Sequence, residues 1–493
     1  MPDRILVIDA GTTSTRAMVF APDGTLLRVA QADLTQHYPQ PGWVEHDAAE
    51  IWQRTLSCAR EVVGDDPEAI AAIGITNQRE TVVAWDKASG EPLARAIVWQ
   101  DRRTAEFCDM LKHAGHEAEV QASTGLLLDP YFSATKMRWL LDNDGRVRAA
   151  AQAGRLAFGT VESWLTFKLS SDARGRGAHV SDASNASRTL LLPLDGAQFD
   201  PGLCDLFGVP RAVLPEVVDT HGPIATSDPQ WLGRAIAICG LIGDQQSATI
   251  GQGCLSSGET KATFGTGAFV LTTMGAIPPR STHRLLGTVL TQSGGTRCYA
   301  LEGSVFVAGS LLQWLRDGLG LISSAAESEA LARSVPDSGG VTVVPALSGL
   351  GAPHWRPDAR GVISGLSFAT GKAQIARAAL EAMALQTHDL CAAFTADGAP
   401  WRELRIDGGM SANDWMAQDL ADMLDLPVDR PGFVETTALG AAVCAAVGAG
   451  LHATLADAVQ AMRGVSRRFM PEMSHAAREE RLVRWRHALD VAG

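Results

Sequence analysis

One short unit occurs twice in this chain, and no other feature limits its possible folds as much. Near the start, the apolar run Ile5-Leu-Val-Ile8 enters the polar segment DAGTTSTR, residues 9–16, and a second apolar run, Ala17 to Phe20, leaves it. Near the middle, Lys261 to Phe264 enters Gly265-Thr266-Gly267, and Ala268 to Leu271 leaves it. Each reads as strand, Gly-Thr turn, strand, and Asp23-Gly24 adds a hairpin turn after the first. A unit present once in each half implies duplicated domains related by approximate symmetry. We expect one domain over 1–245 and another over 246–493, a size that suits a 493-residue chain.

Further strands are expected where apolar runs meet Gly, Asn or Asp. They are Ala71 to Ile75 before TNQRE, Arg95 to Val98 before WQDRR, Ile236 to Ile242 before GDQQ, Val341 to Val344, and Leu404 to Ile406 before DGGMSAN. Apolar spacing of three and four predicts helices over Lys372 to Leu390, Asp414 to Leu424 and His475 to Val491. Strands alternating with helices make an α/β architecture. Thr436 to Leu451 carries no charge but is mostly Ala and Gly, short of the strongly apolar span a membrane needs, so a tightly packed buried helix is expected. The four-residue run at Ile5 is too short for a signal peptide. The net charge of −13 offers no basic field for nucleic acid or anionic lipid, so any anion must be held by a local site. Eight cysteines without a C-x-x-C pair fit a reducing cytoplasm.

Two common nucleotide-binding signatures are missing. Gly371-Lys372 is followed by Ala373 and lacks the upstream glycine of a phosphate-binding P-loop, and no G-x-G-x-x-G occurs. What remains is a set of Gly/Thr turns, each after a strand: Gly11 to Ser14, Gly265 to Gly267, and Asp407-Gly408-Gly409. Such turns aim backbone N–H groups and hydroxyls at one anion. One alone is better explained by a hairpin; three together favour a phosphate cradle. Asp9 can hold a hydrated Mg²⁺ beside the first turn, and Arg16 can neutralise phosphate. Asp244, directly after a strand, stands where open α/β sheets put reactive groups. It can accept a proton or bind metal, or equally cap the following helix. Arg79-Glu80 reads either as a solvated surface pair or, with Trp99 and Tyr131, as a pocket for an uncharged polyol. His113 and His116 lack further metal ligands, and Arg478 to Arg486 is expected to be a solvated helix face.

The segments DAGTTSTR, AAIGITNQRET, AIVWQDRRT, LDPYFSATKMRWLLDN, NASRT, GDQQ, TFGTGAF, ALEGSVFVAG, GLGAPHWRPDARG, DGGMSAND and ETTALGAA occur in that order. Together they resemble the ordered signatures of the FGGY carbohydrate kinases from about Arg4 to Pro471. NQRET, WQDRRT, DPYF and GDQQ are most similar to the members that phosphorylate glycerol. The resemblance implies two ribonuclease H-like domains of the actin and Hsp70 ATPase type with the active site in the cleft between them. The first would mainly bind polyol and the second ATP. It also implies ATP-dependent phosphorylation of glycerol to sn-glycerol 3-phosphate. Glycerol would be held by Arg79, Glu80, Trp99, Tyr131, Asp244, Gln245 and Phe269. ATP would lie on Thr12, Thr13, Arg16, Thr266, Gly309, Gln313, Gly409 and Asn413. Asp244 would be the general base, with Asp9 and Asp244 facing Mg²⁺. A homo-oligomer, dimer or tetramer, is implied as well, with no membrane insertion.

Two positions depart from the pattern: Ala10 stands where Gln is usual, and Phe264 where Tyr is common. The stretch from Gly222 offers only Arg234 where some bacterial relatives have a basic regulatory loop, so that regulation is not expected. The alternatives are a kinase for another polyol or ketose, such as erythritol or a pentulose, and an actin- or Hsp70-like nucleotide switch.

Overall fold

The computed structural model describes residues 2–356, 358–433 and 435–492. The first sheet contains β1 (Arg4–Ala10), β2 (Ser14–Phe20), β3 (Leu26–Asp33), β4 (Ile70–Asn77), β5 (His221–Thr226) and β6 (Ala237–Gly243) in the order β5-β6-β4-β1-β2-β3. The second contains β7 (Glu259–Phe264), β8 (Ala268–Gly275), β9 (Leu286–Ser293), β10 (Thr296–Val305), β11 (Glu403–Asp407), β12 (Val428–Pro431) and β13 (Ser466–Phe469) in the order β9-β10-β8-β7-β11-β12-β13. In the first sheet β1, β2 and β3 form an antiparallel meander, and β4 and then β6 continue parallel to β1. In the second, β7, β8 and β10 repeat the meander, and β11 and β12 run parallel to β7. The expected duplication is therefore present as topology. Antiparallel edge strands β5, β9 and β13 are added outside the repeated unit.

Burial on both faces explains why β1 reads as a continuous apolar run. Leu6 and Ile8 join the core beneath α1 (Ala48–Val63), while Ile5 and Val7 face the opposite side. Helix α1 starts at Asp47, whose carboxylate accepts from the N–H groups of Ala49 and Glu50, and stops at Gly64. The opposite side is covered by α3 (Asp244–Gly251) and α6 (Thr436–Gly448). Between them in sequence lie α4 (Lys372–Ala396) and α5 (Asp414–Leu424); α2 (Ser133–Asn143) precedes them, and α7 (His475–Val491) follows. Helix α6 is the uncharged Ala/Gly segment, and small side chains let it lie in a layer shared by both halves. Its Ala438, Ala441 and Ala445 belong to one core with Ile5, Val7 and Ile242 of the first sheet and Leu271, Leu290 and Ala300 of the second. Among the described residues no helix is long and apolar enough to cross a membrane.

Two expectations are corrected. The Arg95–Val98 strand is reduced to the two-residue Ala96–Ile97, because the chain turns at Trp99 into the site described below. The basic segment of α7 is not a solvated face throughout: Arg478 and Arg481 are buried, the first donating to the carbonyl of Asp422 and the second making a two-pronged bond to Asp419. Their long stems pack while the guanidiniums find internal acceptors.

Candidate active site

Strand ends of the first sheet carry the charged part of the site. At the end of β4, Arg79 and Glu80 are each only 2% exposed in their side chains, which excludes the solvated surface pair. Arg79 donates to Glu302 of β10 through Nη1 at 2.6 Å and Nη2 at 3.1 Å. Arg188 donates to Glu80 through Nε at 2.6 Å and to Glu302 through Nη2 at 3.0 Å. These two arginines and two glutamates form a neutral buried cluster spanning both sheets. Burial alone would raise the Glu302 carboxyl, but Arg188 and Arg79 hold it down at about 2. The Glu80 carboxyl has its pKa raised, since burial outweighs the same two arginines. Glu80 sits in the left-handed region at φ 60, and Ser133 at the start of α2 holds its carbonyl.

Arg79 also points Nε at Asp244, 3.2 Å away, and donates from Nη1 to Gln246 at 3.2 Å. That approach requires glycine at 243, where a Cβ would lie 2.8 Å from the Arg79 side chain. Asp244 is not the cap of the following helix: the residue before it, Gly243, holds that position, and no side chain caps this end. Asp244 is the first residue of α3, accepts from the Gln245 N–H at 2.7 Å, and still leaves 30% of its side chain exposed. Burial raises its pKa against the pull of Arg79 and Lys261, and the charge of Asp9 pushes it further up. A carboxylate kept basic, anchored on one side and open on the other, suits a general base.

Three aromatic side chains from distant segments meet here. Trp99 stands edge-to-face with Tyr131 at 5.6 Å and with Phe269 at 6.4 Å. Its indole N–H donates to the Thr12 hydroxyl at 3.0 Å, tying this wall to the first Gly-Thr turn. Tyr131 is held by Lys136 of α2, fully buried, whose ammonium donates to the carbonyls of Pro130, Tyr131 and Phe132 at 2.6, 2.6 and 3.1 Å. Burial lowers the Lys136 pKa to about 8.

The remaining site residues fall into two groups. Thr266, Gly309, Gln313, Gly409 and Asn413 line one open cavity of about 460 Å³, together with Phe264. Gly309 must be glycine, since a Cβ there would meet the carbonyl of Gly265 at 2.6 Å. Asn413 caps α5 by accepting from the Met416 N–H at 2.9 Å. Thr12, Thr13 and Arg16 stand apart from this cavity, on and after the β1–β2 turn. Arg16 bridges Asp9 at 2.5 Å and Glu435, just before α6. Burial raises the Asp9 pKa, opposed by Arg16. The buried Asp9 and the partly exposed Asp244 feel each other's charge, and both offer the hard oxygens that a hydrated Mg²⁺ takes beside phosphate. Among the described residues no three His, Cys, Asp or Glu side chains cluster as a complete metal cage.

Of the residues central to this geometry, Arg188, Glu302, Lys136, Lys261 and Gln246 were not singled out from sequence. Arg188 and Glu302 lie within the quoted segments NASRT and ALEGSVFVAG, but nothing local marks them as partners of a residue more than 100 positions away. Arg316 and Glu329 on the cavity wall were also missed. Arg234 is paired with Glu68 at 3.1 Å.

Residues 4–251 match the N-terminal domain of the FGGY family of carbohydrate kinases, and residues 260–449 match its C-terminal domain. The chain is 53% identical over 492 residues to the glycerol kinase of Aromatoleum aromaticum, covering 99% of this chain and 98% of that protein. It is 52% identical over 489 residues to the glycerol kinase of Rhodospirillum centenum, covering 98% and 97%. A crystal structure of Plasmodium falciparum glycerol kinase with ADP superposes with a TM-score of 0.94 at 34% identity, covering 100% of this chain and 98% of that one. The xylulose kinase of Rhodospirillum rubrum shares the fold, with a TM-score of 0.86 at 24% identity over 99% and 98% of the chains.

Proposed function

The chain belongs to the FGGY family of carbohydrate kinases, and from that premise we propose that it transfers the γ-phosphoryl group of ATP to a terminal hydroxyl of glycerol. The products are sn-glycerol 3-phosphate and ADP. Phosphoryl transfer asks mainly for in-line positioning and charge neutralisation. Arg79, Glu80 and Gln245 bind the hydroxyls of glycerol, and Trp99, Tyr131 and Phe269 cover its carbon side. The Asp244 carboxylate takes the proton of the terminal hydroxyl as the oxygen–phosphorus bond forms and the bond to ADP breaks. Most of the acceptor's partners come from residues 1–245, and most of the nucleotide's from 246–493. ATP lies on Thr266, Gly309, Gln313, Gly409 and Asn413, with Thr12, Thr13 and Arg16 turned to its phosphates. Asp9 and Asp244 would hold Mg²⁺, which when bound neutralises phosphate charge.

The reading rests on one observation above others: a basic, partly exposed carboxylate at 244 anchored beside a buried ionic pocket and an aromatic wall. A panel assay with ATP and glycerol, dihydroxyacetone, erythritol and xylulose tests it. Glycerol is expected to give the highest kcat/KM; a higher value for xylulose or erythritol overturns the choice of acceptor.

A further inference from the structure

Lys261 of β7 is fully buried, yet its ammonium makes no ion pair within 4 Å among the described residues. Its Nζ donates instead to Oε1 of Gln245 at 2.5 Å and to Oγ1 of Thr263 at 2.9 Å. Burial lowers its pKa, while Asp407 and Asp244 pull it back from farther away. A buried ammonium held by neutral oxygens costs stability relative to an apolar side chain of the same length. The neighbouring Arg79, Glu80, Arg188 and Glu302 already balance one another.

The contact with Gln245 has a direct chemical consequence. An amide presents an acceptor at one end and two donors at the other, and a free amide can turn over. An ammonium has donors only, so it takes the oxygen and leaves the NH₂ end for a ligand. Gln245 lies in the first turn of α3, next to Asp244, whereas Lys261 comes from the second sheet, four residues before the Gly265-Thr266-Gly267 turn. We propose that Lys261 is a positioning residue for the acceptor: it locks the Gln245 amide with its NH₂ group committed to a substrate hydroxyl oxygen. The inference rests on the glycerol kinase reading and deepens it, because it assigns a residue outside the expected binding set to acceptor recognition.

Because Lys261 acts through Gln245, its effect must vanish when Gln245 is gone. A double-mutant cycle with K261M, Q245A and the double variant, read by steady-state kinetics with glycerol and ATP, tests this. K261M is expected to raise the glycerol KM about tenfold, with kcat and the ATP KM changed less than about threefold. In the Q245A background the same substitution is expected to add less than about twofold. K261R, which keeps a cationic donor, should recover part of the glycerol affinity. The glycerol-induced shift in Tm of K261R and Q245E supplies a second measurement should K261M fail to fold. Q245E, facing Lys261 with a carboxylate, is expected to melt higher than wild type and to lose most of the glycerol shift. Equal losses in both backgrounds, a kcat loss with unchanged glycerol KM, or an undiminished glycerol shift in Q245E overturns the proposal. A wild type that leaves glycerol unphosphorylated overturns the underlying reading and this inference together; additive variants in an active enzyme overturn this inference alone.

Discussion

The two ends of the cleft are built in opposite ways. At the end proposed for the acceptor, Arg79, Glu80, Arg188 and Glu302 are almost fully buried, and charged atoms from both sheets fix one another. At the end proposed for the nucleotide, the cavity of about 460 Å³ is lined largely by turns and small residues, including Gly265, Thr266, Gly309 and Gly409. A small neutral triol brings few atoms and no charge, so its binding groups must be rigid beforehand, or their ordering would consume the little binding energy available. A nucleotide brings charge and surface, so backbone N–H groups and open space suffice.

Substitutions can break this contrast, and the largest effect is expected where the two ends meet. Asp244→Asn keeps shape and removes the proposed base, so kcat should fall about 10²–10⁴-fold with the melting curve nearly unchanged. Activity within about tenfold of wild type would remove Asp244 from that role. Next comes the ionic end. Glu302→Ala leaves Arg79 and Arg188 short of their shared carboxylate, and breaking such a buried arrangement costs about 3–5 kcal/mol, to be measured by denaturant unfolding. The glycerol KM should rise along with it, while Glu302→Gln loses less on both counts. A Glu302→Ala protein as stable as wild type would show that the cluster does not organise this end.

The smallest effect is expected at the nucleotide end. Gly309→Ala puts a Cβ 2.6 Å from the Gly265 carbonyl and should displace that turn. The ATP KM is expected to rise about tenfold, with the glycerol KM within about twofold of wild type. Equal rises in both constants would mean that the two ends are not independent.

Much of this was legible in the linear chain, for identifiable reasons. The repeated strand, Gly-Thr turn, strand unit is local, and so was readable; it became β1–β2 and β7–β8. Helices α5 and α7 have the expected bounds because apolar spacing and capping residues, Asn413 and Ser474, act over a few positions. The Ala/Gly segment declared a buried helix, though not that it would lie against the first sheet from a position near the end of the second half. The Arg478–Arg486 stretch misled for the opposite reason. Charge in a helix reads as solvent-facing, and the acceptors Asp419 and the Asp422 carbonyl that draw two arginines inward are a tertiary matter.

The chain alone specified the fold class, the Gly/Thr turns and the position of Asp244 at a strand end, because periodicity, turn chemistry and motif order are properties of neighbours in sequence. Only the tertiary structure decided that Arg79 is gripped by Glu302 from 223 residues away, that Arg188 completes the same cluster, and that Lys261 faces Gln245. Buried ionic contacts carry no local signature. A charged residue looks the same in sequence whether water or another protein group completes it, and only the packing of two sheets determines which.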